Sequence, residues 1–262
     1  DVNRYKEQRS KEVAVSGGDK NKPLDKTNLK TTSNGTINRE LAVLSHLFNQ
    51  AVEWKWIQYR PAKIMLLKEE QGRESYLTKE QVVLVKEMAT KDENPLTSMF
   101  MMVGLDTSMR KSEILAIRIE HIDLALRIIY IPNVVGVTKT GSREQPITKR
   151  LATYLEGALE KLPPEQEWLF PSTKSATGHI TNIDKAFRRV VAAAGLDPAE
   201  IVRHTMRHTV VTHLVQDGID LPTVMRISGH KTLAMVQRYA HQNGEHIQAA
   251  MDRLERRLDI AA

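Results

Sequence analysis

The chain has 262 residues, 41% hydrophobic and 27% charged, an ordinary composition for a globular protein with a real core and long enough for two domains. It contains no cysteine, which excludes disulfides, thiol catalysis and cysteine-ligated zinc, and no apolar run reaches the ~18 residues of a membrane-spanning helix. The net charge of +6 is concentrated at one end: residues 1–68 hold 13 Lys and Arg against 7 Asp and Glu, and the remainder holds 25 of each. A basic module beside a neutral one fits a polyanionic partner, most often nucleic acid, or a basic surface that serves solubility alone.

The opening DVNRYKEQRSKE predicts a charged helix over 2–12 and is not a secretory leader. With no initiator Met, the expectation is a fragment of a longer, cytoplasmic protein. A polar stretch over 16–35 carries little periodicity. TINRELAVLSHLFNQAVEWKW then predicts a strong helix, with Ile37, Leu41, Leu44, Phe48 and Ala51 on one apolar face, ending before the break at Pro61. KEEQGRES is a charged linker, which places one domain at 1–68, the linker at 69–76 and a second domain at 77–262.

In the second domain, Thr78 and Gln81 have the spacing of a capping box at the start of a helix. PLTSMFMMVGLDTSM predicts a buried helix, and RKSEILAIRIEHI continues as helix after a turn at Arg110. The alternation of RIIYIP (127–132) and the glycines Gly136 and Gly141 predict a small antiparallel hairpin. Helices are expected over 149–161, 181–195, 204–216, 221–228 and 232–240. A last amphipathic helix carries Ile247, Met251, Leu254 and Leu258. No internal repeat is present, and the expected class is mainly α with a small antiparallel β-sheet.

The densest cluster of chemistry is VRHTMRHTVVTH (202–213), open to three readings. His204 and His208 share a helix face as zinc ligands do, but no Glu stands between them and Arg207 in the same turn would repel a cation, so no metal is expected. A core-packing role suits His213 beside Val210, Val211 and Leu214, yet leaves Arg207 expensive to bury without an anion. A phosphate site explains the arginine, because a guanidinium offers forked donors to phosphate oxygens and an adjacent imidazole can move a proton. Other segments supply matching parts: Arg110 with Glu113 a turn later, Lys139 and Arg143 at the hairpin tip reaching outward, His230 exposed beside a Gly229 C-cap, and Tyr239.

The segments TSMRKSEILAIR, TKTGSREQPI, HTMRHTVVTHL and ISGHKTLAMVQRYAH, in this order, resemble the tyrosine recombinases of the phage-integrase type. The resemblance covers residues 76–241, and TINRELAVLSHLFNQAVEWKWI is similar to the family's helical core-binding domain, of which the first helix or helices would be missing. It implies that Arg110 and Arg207 clamp the scissile phosphate, that Lys139 protonates the leaving 5′ oxygen and that His230 holds a non-bridging oxygen. Tyr239 would be the nucleophile, with His204 assisting its proton transfer, Glu113 as a structural acid beside Arg110, and His208 in support. Further DNA contacts are expected from Lys30, Arg39 and Arg143.

The implied activity is site-specific strand exchange through a 3′-phosphotyrosyl intermediate and a Holliday junction, without a cofactor. The implied partners are double-stranded DNA bearing core sites, further copies in a tetramer assembled on DNA from monomers, and accessory DNA-bending proteins. A C-terminal helix would dock in trans rather than in cis. A type IB topoisomerase and a catalytically silent DNA-binding relative are the alternatives. Two positions depart from the family pattern: Ser108 stands where Gly is usual, and Thr205–Met206 where Asp-Leu is usual.

Overall fold

The computed structural model describes residues 2–13, 31–69, 75–134, 141–239, 251–252 and 254–256. The chain divides into two compact units, Asp1–Arg73 and Glu74–Ala262. The predicted terminal helix with Ile247 and Leu258 falls largely outside the described residues, as do Lys30 and Lys139. Among the described residues, no helix is long and apolar enough to cross a membrane.

The first unit pairs helix α1 (Val2–Lys11) with α2 (Asn34–Glu53). Arg9 forks onto Glu40, whose carboxylate also accepts from the Tyr5 hydroxyl at 2.7 Å. Ser33 caps α2 by accepting from the Thr36 amide. The buried amide of Asn38 exchanges two hydrogen bonds with the backbone of Leu67 and so ties the following segment to the helix. Of the predicted apolar face, Ile37 and Leu41 are fully buried, and Leu44, Phe48 and Ala51 only partly so.

The second unit is mostly helical, with helices packed on one another and a small sheet beside them. Helix α3 (Lys79–Thr90) begins with the Thr78–Gln81 capping box, both halves formed. Helix α4 (Pro95–Thr107) is buried nearly all round, as PLTSMFMMVGLDT requires of a central helix, and packs on α3 and on α8 (Arg203–Gln216). It ends at buried Ser108 in the left-handed region (φ 60°), a conformation that favours glycine.

The helix expected through RKSEILAIRIEHI is only α5 (Lys111–Leu115), followed by a single 3-10 turn, Ile119–His121. Arg118 there forms a β-bridge with Trp168, and the alternation of Ile117 and Ile119 about it suits extended chain better than helix. Strands β1 (Ile122–Asp123), β2 (Ile128–Ile131) and β3 (Arg143–Pro146) form one antiparallel sheet in that order. Ile131 pairs with Arg143 and Ile128 with Pro146, which closes the predicted hairpin.

Helices α6 (Lys149–Leu159), α7 (Asp184–Ala193) and α9 (Leu221–Ser228) complete the unit. The helix expected over 232–240 is a single turn, α10 (Ala234–Gln237). The protein is mainly helical with a small three-stranded antiparallel sheet.

Candidate active site

Three guanidinium groups from distant parts of the sequence converge around α8. Arg207, in its second turn, is 2% exposed, and one of its nitrogens donates to the carbonyl of Ser108 at 2.9 Å. The left-handed turn at Ser108 aims that carbonyl at the arginine. The other terminal nitrogen of Arg207 is buried and finds no hydrogen-bond partner among the described residues. Burial, then the charges of Arg110 and Arg143, push Arg207 down to about 10, with Glu113 offsetting only part.

Glu113 is the carboxylate between the other two arginines. It accepts from Arg110 at 2.9 Å, from Arg143 at 2.8 and 3.1 Å, and from the Arg110 backbone amide at 3.0 Å. Burial pushes its acidity toward the neutral form, but the hydrogen bond and charge of Arg143, with the backbone bond and charge of Arg110, outweigh that and hold it below the usual range. Arg143, expected to reach outward from a hairpin tip as a DNA contact, instead opens β3 and turns inward with buried Gln145, two residues on. The strand period of two decides this.

His230 follows the left-handed C-cap Gly229 of α9. It is half-buried rather than exposed as expected, and its Nδ1 lies 2.6 Å from the Ser228 hydroxyl. Ser228 donates to the carbonyl of Val224 at 2.7 Å, so its oxygen receives the imidazole proton and the Nε2 lone pair is left free in the neutral ring. Burial, then Arg207, Arg110, Arg238 and His204, lower His230 to about 3. Arg110 also donates to the Gly229 carbonyl at 3.4 Å, which joins this turn to the arginine cluster.

A Cβ at Gly229 would sit 2.7 Å from the guanidinium of Arg143, on top of a backbone at φ +64°. Gly229→Ala should therefore destabilise by about 1–2 kcal/mol from backbone conformation alone. It should also displace Arg143 from Glu113. Thermal unfolding and a crystal structure of this variant check both effects.

Tyr239 is 5% exposed and packs among Val211, Val215, Val224 and Val236. Its hydroxyl is in close hydrogen-bond contact with Nδ1 of His208 and accepts from Arg238 at 2.9 Å; the Arg238 guanidinium also lies 4.9 Å from the phenol ring centre. His204, expected to assist the nucleophile, is exposed on the first turn of α8 and meets the His208 ring edge-on at 4.8 Å. The structure thus brings Arg110, Glu113, Arg207, His208, His230 and Tyr239 into one cluster, with His204 at its margin. Arg39 is exposed on α2.

The Thr205–Met206 departure from the family pattern has a structural use. Thr205 accepts the Val202 amide at the start of α8, and Met206 is buried against Gly104 of α4. Arg203 is ion-paired with Asp184 at 2.6 Å, and His213 is half-buried against the edge of Tyr76. Arg238 and Ser228 escape sequence reasoning, because an arginine on a short helical turn and a serine in a C-terminal turn look like surface residues.

Comparison with known proteins agrees with the cluster. The sequence model described as Phage integrase family matches residues 75–246. The chain is 28% identical over 237 residues to the shufflon-specific DNA recombinase of Escherichia coli, covering 89% of this chain and 58% of that protein. It is 30% identical over 156 residues to tyrosine recombinase XerC of Oceanobacillus iheyensis, covering 55% and 48% respectively. It thus spans about half the length of these curated relatives.

Among solved structures, the Tn1549 transposon integrase in complex with circular intermediate DNA matches with a TM-score of 0.68 at 22% identity, over 85% of this chain and 81% of that one. The XerH site-specific recombinase bound to its palindromic difH substrate matches at 0.62 and 20%, over 86% and 68%. At these identities the structural likeness speaks for the fold alone. The matched span takes in the arginine cluster and the tyrosine, and the chain belongs to the phage integrase family of tyrosine recombinases.

Proposed function

We propose that the chain is a site-specific DNA recombinase that cleaves and rejoins strands through a 3′-phosphotyrosyl bond at Tyr239. The observation that carries this reading is Arg207, a buried guanidinium with a donor unpaired among the described residues, set beside Arg110 and close enough to Tyr239 to feel its charge. A phosphodiester supplies the missing acceptor. As the phosphate is attacked in line, negative charge grows on its equatorial oxygens, where Arg207 and Arg110 donate.

His230 adds a donor to a non-bridging oxygen once the phosphate anion favours its protonation. Lys139 protonates the departing 5′ oxygen, and the bond energy kept in the phosphotyrosyl ester rejoins strands without a nucleotide cofactor. Residues 1–68 act as a core-binding domain and 77–262 as the catalytic domain, with 69–76 as the linker, so that the basic first module and the arginine cluster both engage DNA. Lys30 and Arg39 contribute backbone contacts there. The chain acts in the cytoplasm on nucleoid DNA as a tetramer, helped by DNA-bending proteins, passes through a Holliday junction, and docks its C-terminal helix in trans.

The test uses nicked duplexes whose sequence is recovered by selecting bound DNA from a random-sequence library. The unsubstituted protein should form a detergent-resistant adduct, whereas Tyr239→Phe should bind the same duplex and form none. Equal adduct from both would overturn the proposal.

A further inference from the structure

The hydrogen bonds at the tyrosine have a fixed direction. Arg238 can only donate, and it donates to the phenol oxygen at 2.9 Å; one of its nitrogens also lies 3.4 Å from Nδ1 of His208. The phenol proton therefore points to Nδ1 of His208, the close partner of that oxygen, and Nδ1 presents a lone pair. His208 is thus the Nε2–H tautomer, with its basic nitrogen on the reacting oxygen. On the opposite count, the histidine four residues earlier, His204, touches the His208 ring at 4.8 Å between centres.

We propose that His208 is the catalytic base that accepts the proton of Tyr239 as it attacks, and that Arg238 is a second catalytic residue that stabilises the phenolate oxygen as it becomes charged. This rests on the recombinase reading above and names the proton acceptor within it. As the Tyr239 Oη–phosphorus bond forms and the phosphorus–O5′ bond breaks, the phenol proton passes to Nδ1 of His208 and the 5′ oxygen takes a proton from Lys139. Rejoining runs the same transfers in reverse. His204 is a positioning residue, acting on the reaction through the ring of His208.

The electrostatics of the cluster tie this base to substrate. Burial, then His204, Arg238 and Arg207, lower His208 to about 4, so it is neutral near pH 7, as a proton acceptor must be. These same groups on α8 and beyond α10 make it a weak base while no anion is present. A phosphodiester held by Arg207 and Arg110 offsets those cations, so His208 becomes a better base when DNA is in place. The tyrosine is thereby restrained from attack without its target.

The experiment isolates the attack side by using the selected nicked duplex with sulfur in place of the bridging 5′ oxygen, since a thiolate leaves without a proton from Lys139. His208→Gln should slow adduct formation about a hundredfold or more, and Arg238→Gln about tenfold or more, while His204→Gln should cost less than His208→Gln. Added imidazole should restore part of the rate to His208→Ala and none to His204→Ala. Nitrogen NMR on the unsubstituted protein gives a readout independent of variant folding: Nδ1 of His208 should be unprotonated and should shift in Tyr239→Phe.

Adduct formation by His208→Gln at the unsubstituted rate, or a protonated Nδ1, would overturn the inference while leaving the recombinase reading standing. No adduct from the unsubstituted protein would overturn both.

Discussion

Replacing Arg207 by Met should make the protein more stable and catalytically inert. Arg207 is held at about 10, well below the ordinary arginine value, by burial first and the neighbouring arginines second. A base whose folded value is depressed weakens the fold while it is charged. The penalty is fully present below about pH 10 and is relieved as pH rises from there toward the unfolded value. The shift corresponds to a penalty of about 3 kcal/mol at neutral pH. Loss of the hydrogen bond to the Ser108 carbonyl returns about 1–2 kcal/mol of that.

The net expectation is a melting temperature raised by a few degrees, together with a loss of adduct formation of about a thousandfold or more. Inorganic phosphate should raise the melting temperature of the unsubstituted protein and leave that of Arg207→Met unchanged. A destabilised Arg207→Met would mean that the guanidinium is a structural strut and not a strained anion receptor.

Glu113→Gln should have the opposite effect on stability. Glu113 is 2% exposed and its carboxylate is shared by Arg110 and Arg143, so an amide there leaves two partly buried guanidinium groups without their counter-charge. Breaking a buried ion pair from one side costs about 3–5 kcal/mol, which for a unit of this size lowers the melting temperature by about 10 °C. The pH dependence follows from the lowered acidity of Glu113. Its stabilisation is present above the ordinary carboxylate range and is lost as pH falls through the depressed folded value. Acid unfolding should therefore lose part of its pH dependence in Glu113→Gln. Calorimetry across that range checks both, and an unchanged melting temperature would contradict the shared ion pair.

What the sequence revealed and what it hid divide along the range of the interactions. The capping box at Thr78, the αL stop at Gly229 and the helix carrying HTMRH are local, and each is legible from a few neighbouring residues. Arg207 could be singled out because an arginine among apolar residues of a helix is costly to bury wherever it occurs. Its partner was not legible: the Ser108 carbonyl lies 99 positions away, and the Arg110–Gly229 contact spans 119.

Arg143 was misplaced for a related reason. Its charge and nearby glycine suggested a hairpin tip, but β3 begins at that residue and the register turns it toward Glu113. That Tyr239 meets His208 and not His204 depends on where the short helix α10 returns the tyrosine to α8, and no periodicity in the sequence encodes that return.

The central claim is that Tyr239 becomes joined to DNA inside this arginine cluster. The most direct measurement is to digest the adduct formed on a nicked duplex with nuclease and protease and to locate the modified peptide by mass spectrometry. A nucleotide linked through its 3′ phosphate to Tyr239 is the predicted result. Attachment to any other residue, or a 5′ linkage, would contradict it.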